Sequence, residues 1–428
     1  MTRFDPSGPL RGSLRPPSDK SISHRAALIA AMGEGETEIF DYLDAADTRS
    51  TVAAIERLGA EIWWRVPGRT SFMVTGIGLR GARSTAIDVG NAGTLLRLLP
   101  GWLAGQVGER WTVDGDESIR RRPVDRIAIP LREMGAHLAA RDDRLPPLEI
   151  EGAPLHGITY EMPIASAQVK SCLLFAGLLA EGETRVVEPL PSRDHTERML
   201  AAAGASIERD GDAVVVRPAG RLEPDPITVP ADISSAAFFI VAASLVGGSE
   251  VLLEEVNVNP TRTGLLTILE RMGAEIEPED EREVGGEPIA NLRARTAPLR
   301  ASEVGGAEIP LAIDELPLVA LAACFAEGTT TIRDAEELRR KESDRIETVT
   351  AALRALGGKV EPTPDGMVIE GAGGLRGGTI DSHGDHRIAM LGAVAGLASK
   401  EGVEVRGMDA AAVSYPGFER DLGSLLGG

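Results

Sequence analysis

One phrase recurs along the chain and limits what it can fold into: an amphipathic helix, then glycine beside another small residue, then a strand. It stands at Val52–Ile62, Ile129–Leu138, Met199–Ile207, Leu266–Ile276 and Val349–Val360. The marker glycines are Gly59, Gly135, Gly204, Gly273 and Gly357, each where a helix end favours a left-handed residue. A second phrase interleaves with the first: a more apolar helix, a Gly/Glu turn and a strand. Its copies are Ala26–Ile39, Leu95–Val113, Val169–Val187, Ala236–Leu253, Leu316–Ile332 and Ile388–Val405. The segment Phe418–Leu426 reads as a degenerate sixth copy of the first phrase. The chain is thus six α/β units, each with one amphipathic helix and one apolar nearly all round, which places the latter inside. A stacked solenoid is the alternative, but solenoid periods are short and near-constant, and the marker glycines here are unevenly spaced.

At 428 residues the chain is too long for one core. Six units divide into two globules of three, with the break at the proline-rich stretch Pro224–Asp232. The segment before Pro16 holds a strand-like piece and no helix, so it is assigned to the second globule. The expected domains are 16–229, and 1–15 together with 230–428. Acidic residues outnumber basic ones 65 to 45, a formal net charge of -20, which argues against nucleic acid or an anionic membrane as partner. Cys172 and Cys324 lie in apolar runs and read as small core residues. Met1–Arg11 has no apolar signal region, and the apolar runs near Ala236–Val246 and Leu316–Ala326 are too short to span a bilayer. The expectation is a soluble, cytoplasmic protein.

Polar residues precede every buried helix. They are Ser18–Arg25, Gly90–Arg97, Ser166–Ser171, Asp232–Ser235, Asp314-Glu315 and Gly384–Arg387. A helix start gathers free N–H groups and the positive end of the dipole, which suits an anion. Lys20 and Arg25 work against that dipole, so they point to a bound phosphate or carboxylate; the plainer reading is a capped helix with surface charges. Approximate symmetry among the units would aim all six starts at one interdomain cleft. Arg120–Arg126 carries four arginines, a composition suited to bidentate anion binding, although a lone charge run is usually solvated. Ser192–Glu197 resembles a capping pattern, and Arg339–Arg345 reads in isolation as a surface ion-pair cluster. No zinc-type Cys/His spacing and no Gly-rich phosphate loop stands in the sequence, so no metal and no nucleotide cofactor is expected.

Together these motifs resemble the enolpyruvyl transferases, most closely the branch acting on shikimate 3-phosphate. The match runs the full length and rests on Ser18–Arg25, Asn91–Thr94, Arg122-Pro123, Ser166–Gln168, Asp314, Lys341–Arg345, Asp385–Arg387 and Ser414–Pro416. The resemblance implies a two-domain inside-out α/β barrel of six βαβαββ units, three per domain. It implies transfer of the enolpyruvyl group of phosphoenolpyruvate to the 5-hydroxyl of shikimate 3-phosphate, through a tetrahedral intermediate that loses phosphate. Also implied are no cofactor, a monomer, and competition between glyphosate and phosphoenolpyruvate. By similarity, Lys20, the Gly93 backbone, Arg122, Gln168, Lys341, Arg345 and Arg387 hold phosphoenolpyruvate. Lys20, Ser21, Arg25, Ser166, Ala167, Gln168, Arg193, Asp314 and Lys341 hold shikimate 3-phosphate. Asp314 takes the hydroxyl proton, and Glu342 with Lys20 handles the proton at the methylene carbon.

Two positions depart from the pattern: Glu337 where some relatives carry Asn, and Val413 where some carry Lys. Ser18–Arg25, Ser166–Ser171 and Asn259–Arg262 resemble the class II subgroup. The relatives acting on UDP-N-acetylglucosamine usually have Lys-Asn where this chain has Lys20-Ser21, and a reactive Cys in the loop matching Asp116–Arg122, which has none. A non-catalytic anion-binding protein of the same fold would not need Asp314 and Glu342 beside the cations.

Overall fold

The computed structural model describes residues 1–65 and 70–427. The apolar helices form as their composition requires. Lys20–Met32, Gly93–Leu103 and Ala167–Gly177 lie in the first half, and Ile233–Leu245, Leu316–Phe325 and His386–Ala398 in the second. Every residue from Ile22 to Met32 is buried, as is every residue from Ile233 to Ser244. Ala, Leu, Ile and Met favour helix and carry little polar cost inside. Burying each large apolar side chain contributes about 1.5–3 kcal/mol. Four of these helices are started by a side chain accepting from their own first turn: Asp19, Ser166, Asp232 and Asp385.

Small sheets surround the helices. Among the described residues five have four strands and one has three. The pattern is clearest at Thr85–Asp88, which runs parallel to Arg110–Asp114; that strand is antiparallel to Leu145–Glu151, whose outer neighbour is His137–Arg141. Strands Thr159–Glu161, Thr184–Val187, Ala213–Val216 and Ile207–Asp210 repeat this order. For the first repeat the parallel strand is Ile227–Thr228, and for the fourth it is Arg11–Leu14. Thr2–Phe4 lies antiparallel to Val403–Arg406.

The chain forms two compact units. One is Ser18–Val229 with Val284–Glu287; the other is Met1–Pro17, Pro230–Glu283 and the chain from Pro288 onward. Each has its own apolar core. Sequence reasoning did not anticipate that the turn Val284–Glu287, between strands Glu275–Val284 and Glu287–Arg295, groups with the unit 18–229.

The amphipathic helices Ala46–Leu58, Asp125–Glu133, His195–Ala202, Gly264–Arg271 and Arg345–Ala355 each run into a marker glycine. All five glycines are left-handed, with φ of 117°, 102°, 86°, 97° and 91° in chain order. The degenerate last copy is the helix Phe418–Ser424. Ser414–Pro416 turns out to be core packing: the buried Tyr415 ring lies 5.8 Å from that of Phe239 and 5.4 Å from that of Phe418. Cys172 and Cys324 are buried thiols. No described helix is long and apolar enough to cross a membrane.

Gly204 isolates the backbone term, because a Cβ there would meet nothing within 4 Å. Gly204→Ala is expected to lower unfolding free energy by about 1–2 kcal/mol through the left-handed backbone alone, with both Michaelis constants unchanged. Urea denaturation with parallel kinetics checks this; a stability equal to the parent would show that the turn relaxes.

Candidate functional site

In the unit 18–229 the first helix start is bound from two sides. Lys20 Nζ lies 3.0 Å from Asp47 Oδ2, a buried carboxylate on the next helix. One turn later Arg25 is buried, with each of its three guanidinium nitrogens engaged. Nε donates to Thr196 Oγ1 at 2.7 Å, Nη2 to Ser171 Oγ at 2.9 Å and Nη1 to the Ser21 carbonyl at 3.0 Å. Burial pulls the Arg25 guanidinium down to about 10, still charged at neutral pH. His24, between the two cations, is buried with Nδ1 2.6 Å from Thr51 Oγ1. Burial, reinforced by Lys20 and Arg25, pushes its imidazole down to about 3.

The second and third starts are tied together. Arg97 Nη1 donates to Gln168 Oε1 at 2.8 Å, and Gln168 Nε2 donates to Thr94 Oγ1 at 3.2 Å. Arg122 Nη2 donates to Asn91 Oδ1 at 2.9 Å, and Asn91 Nδ2 donates to Asp116 Oδ2 at 2.6 Å. A Cβ on Gly93 would stand 2.7 Å from Arg122 Nη1 and 3.4 Å from Arg97 Nη1. A larger residue at this start would have to displace the end of the Arg122 side chain. Ser171 Oγ donates to the Ala167 carbonyl at 2.6 Å, which joins the Ser166–Gln168 start to the Arg25 cluster. Beneath it, fully buried Lys170 pairs with Glu188 at 3.0 Å and Glu197 at 2.6 Å. Arg193 lies on the loop before helix His195–Ala202.

The second unit has its own convergence, centred on buried Arg345. Its Nε lies 2.9 Å from Asp385 Oδ2, its Nη2 donates to Glu342 Oε2 at 2.7 Å, and its Nη1 reaches Asp314 Oδ1 at 3.4 Å. Burial opposes this charge, but the carboxylates of Asp385, Glu342 and Asp314 outweigh it and hold the guanidinium above its usual range. Burial alone would raise the Asp385 carboxyl; Arg345 holds it below the usual range instead. Lys341 Nζ stands 3.2 Å from Asp314 Oδ1. Arg387 Nη1 donates to the Asp314 backbone carbonyl at 3.0 Å.

The arginine-rich runs split. Arg120 pairs with Asp114 at 2.7 Å and Arg121 with Glu117, both arginines more than half exposed; Arg122 alone of these three meets Asn91. Arg339 pairs with Asp344 at 2.8 Å and Arg340 with Glu336 at 3.1 Å, while Lys341, Glu342 and Arg345 gather at Asp314 and Asp385. The capping pattern at Ser192–Glu197 is not realised: Asp194 makes no side-chain cap and pairs with Arg198 at 2.9 Å, while Glu197 turns to Lys170. Glu337 lies on the turn Glu336–Arg340 and Val413 on Met408–Val413. Sequence reasoning missed Asp47, Asp116 and Glu188, and gave Ser171 and Thr196, inside stretches it singled out, no role of their own. No motif marks Asp47 or Glu188, because they act by position in the folded unit. Among the described residues no cluster of His, Cys, Asp or Glu is arranged to hold a metal ion.

Residues 4–422 match the family described as EPSP synthase (3-phosphoshikimate 1-carboxyvinyltransferase). A 3-phosphoshikimate 1-carboxyvinyltransferase from Alkalilimnicola ehrlichii is 50% identical over 96% of this chain and 93% of its own. One from Synechococcus sp. is 50% identical over 99% of this chain and 96% of its own. A solved EPSP synthase structure from Acinetobacter baumannii superposes with a TM-score of 0.88 at 42% identity, covering 99% of this chain and 98% of that one.

The state of His24 predicts an acid sensitivity. The unfolded chain takes up a proton there below about pH 6.5, whereas the folded chain stays neutral down to about pH 3. Stability from this group is thus present above the unfolded value and lost as pH falls below it. At pH 5 the loss is about 2 kcal/mol. Urea midpoints at pH 7 and pH 5 should show a smaller decline for His24→Gln than for the parent; equal declines would remove His24 from the linkage.

Proposed function

The chain belongs to the EPSP synthase family, and from that premise we propose how its residues divide the family's reaction. The reaction moves the enolpyruvyl group of phosphoenolpyruvate onto shikimate 3-phosphate and releases phosphate, a step of aromatic amino-acid biosynthesis. The observation that carries the assignment is that Asp314 and Glu342 are both bound to the one buried guanidinium of Arg345. Two carboxylates held by a single fixed cation keep their separation through proton transfers, which general acid–base chemistry needs.

In this reading the 5-hydroxyl of shikimate 3-phosphate adds to C2 of phosphoenolpyruvate. Asp314 accepts the hydroxyl proton, and Glu342 with Lys20 delivers a proton to the methylene carbon. The tetrahedral intermediate then loses phosphate as that methyl group gives a proton back. Lys20, Arg122, Lys341, Arg345 and Arg387 neutralise the phosphate and carboxylate of phosphoenolpyruvate, and Gln168 and the Gly93 backbone hydrogen-bond to it. Ser21, Arg25, Ser166, Ala167 and Arg193 hold shikimate 3-phosphate, with Lys20, Gln168, Asp314 and Lys341 shared. Three internal hydrogen bonds make Arg25 a fixed charge rather than a mobile one and leave two of its five N–H donors for the ligand. The protein acts as a monomer in the cytoplasm. Phosphate release from phosphoenolpyruvate that depends on shikimate 3-phosphate, and not on UDP-N-acetylglucosamine, tests the substrate pair.

Asp314→Asn should lower kcat by at least 100-fold, the low end for a lost general base, and move each KM less than about threefold. Near-normal turnover would remove Asp314 from the chemistry. Gly93→Ala places a methyl group against Arg122 Nη1. The KM for phosphoenolpyruvate should therefore rise severalfold, and the inhibition constant of glyphosate, a longer molecule that the methyl group also obstructs directly, by a larger factor. Equal changes would mean that the methyl group only displaces Arg122.

A further inference from the structure

The segment Asn259–Arg262 and the start of helix Ile233–Leu245 have no part in the reading above, yet side-chain contacts lead from them to it. Arg262 is buried. Its Nη2 donates to Asp232 Oδ1 at 3.1 Å and to Ser234 Oγ at 2.7 Å. Ser234 Oγ donates in turn to Glu315 Oε1, and the same oxygen accepts from Arg387 Nη1 at 3.1 Å. The Glu315 side chain is 1% exposed, and its Oε2 is buried with no hydrogen-bond partner among the described residues. A carboxylate out of water costs several kcal/mol unless well paired, and this one uses only half of its acceptors. Its bonded oxygen faces Arg387 on one side and the Ser234 hydroxyl, backed by Arg262, on the other.

We propose that Glu315 is a positioning residue for phosphoenolpyruvate recognition, fixing the Arg387 guanidinium through a brace that runs from Arg262 through Ser234. The Asp314 carbonyl and Glu315 together hold Nη1 of Arg387. Arg387 is thereby kept in one rotamer, and a ligand carboxylate or phosphate meets it without first ordering a long side chain. This inference rests on the assignment of Arg387 to phosphoenolpyruvate.

Steady-state kinetics on Glu315→Ala, Glu315→Gln, Arg387→Ala and the double variant Glu315→Ala/Arg387→Ala test it. Glu315→Ala should raise the KM for phosphoenolpyruvate tenfold or more and that for shikimate 3-phosphate less than twofold. Glu315→Gln keeps an acceptor for Arg387 and should recover part of the loss. In the Arg387→Ala background, Glu315→Ala should add less than twofold, because residues acting through one another are not additive. Equal rises in both Michaelis constants, or independent effects in the double variant, overturn the proposal. If Arg387→Ala leaves the KM for phosphoenolpyruvate unchanged, the assignment of Arg387 fails and the proposal with it. If Arg387→Ala raises that constant while Glu315→Ala is silent, the proposal alone fails. Should Glu315→Ala not fold, Ser234→Ala decides: a rise of threefold or more confined to phosphoenolpyruvate supports the brace, and no change overturns it.

Discussion

A helix that is apolar on every side has to be surrounded, and this requirement organises each unit. Three such helices fill each core, and the sheets and amphipathic helices cover them. Their polar starts are then drawn together within the unit. Charges carried there are removed from water and must find partners inside. Lys170 finds Glu188 and Glu197; Arg345 finds Asp314, Glu342 and Asp385. The ion networks follow from how the helices are buried, and they in turn hold each functional side chain in one place.

The repeat was readable because both of its periods are local. A helix followed by glycine and a strand can be recognised without knowing what it packs on, and Gly59, Gly135, Gly204, Gly273 and Gly357 all took the left-handed conformation that the pattern demands. The polar helix starts were readable for the same reason. Pairings across elements were not. Asp47 meets Lys20, Ser171 and Thr196 meet Arg25, and Ser234 meets Glu315, over separations that no motif encodes. Within the runs Arg120–Arg126 and Arg339–Arg345, composition could not separate inward from outward cations, since a turn of the backbone decides which side chain faces the unit and which meets a surface carboxylate of little energetic weight. Gly93 is a subtler case. The resemblance implied a backbone contact to a ligand, and the fold adds that a side chain of the protein itself, Arg122, stands beside that glycine.

The pairing of the amino-terminal strands bears on synthesis. The unit 18–229 contains all its own strands once Ile227–Thr228 has been made, since that pair lies beside Ile39 and Phe40. The strands of Met1–Pro17 pair with segments made much later: Arg11–Leu14 waits for Glu250–Leu253, and Thr2–Phe4 for Val403–Val405. Until those partners are made these strands have open edges on the ribosome, the kind of surface that recruits other nascent chains. They are three and four residues long, carry Arg3 and Arg11, and are separated or followed by Pro6, Pro9, Pro16 and Pro17. Short length, charge and proline each blunt an unpaired edge, so the strands that must wait for distant partners are also poorly suited to pairing with the wrong neighbour.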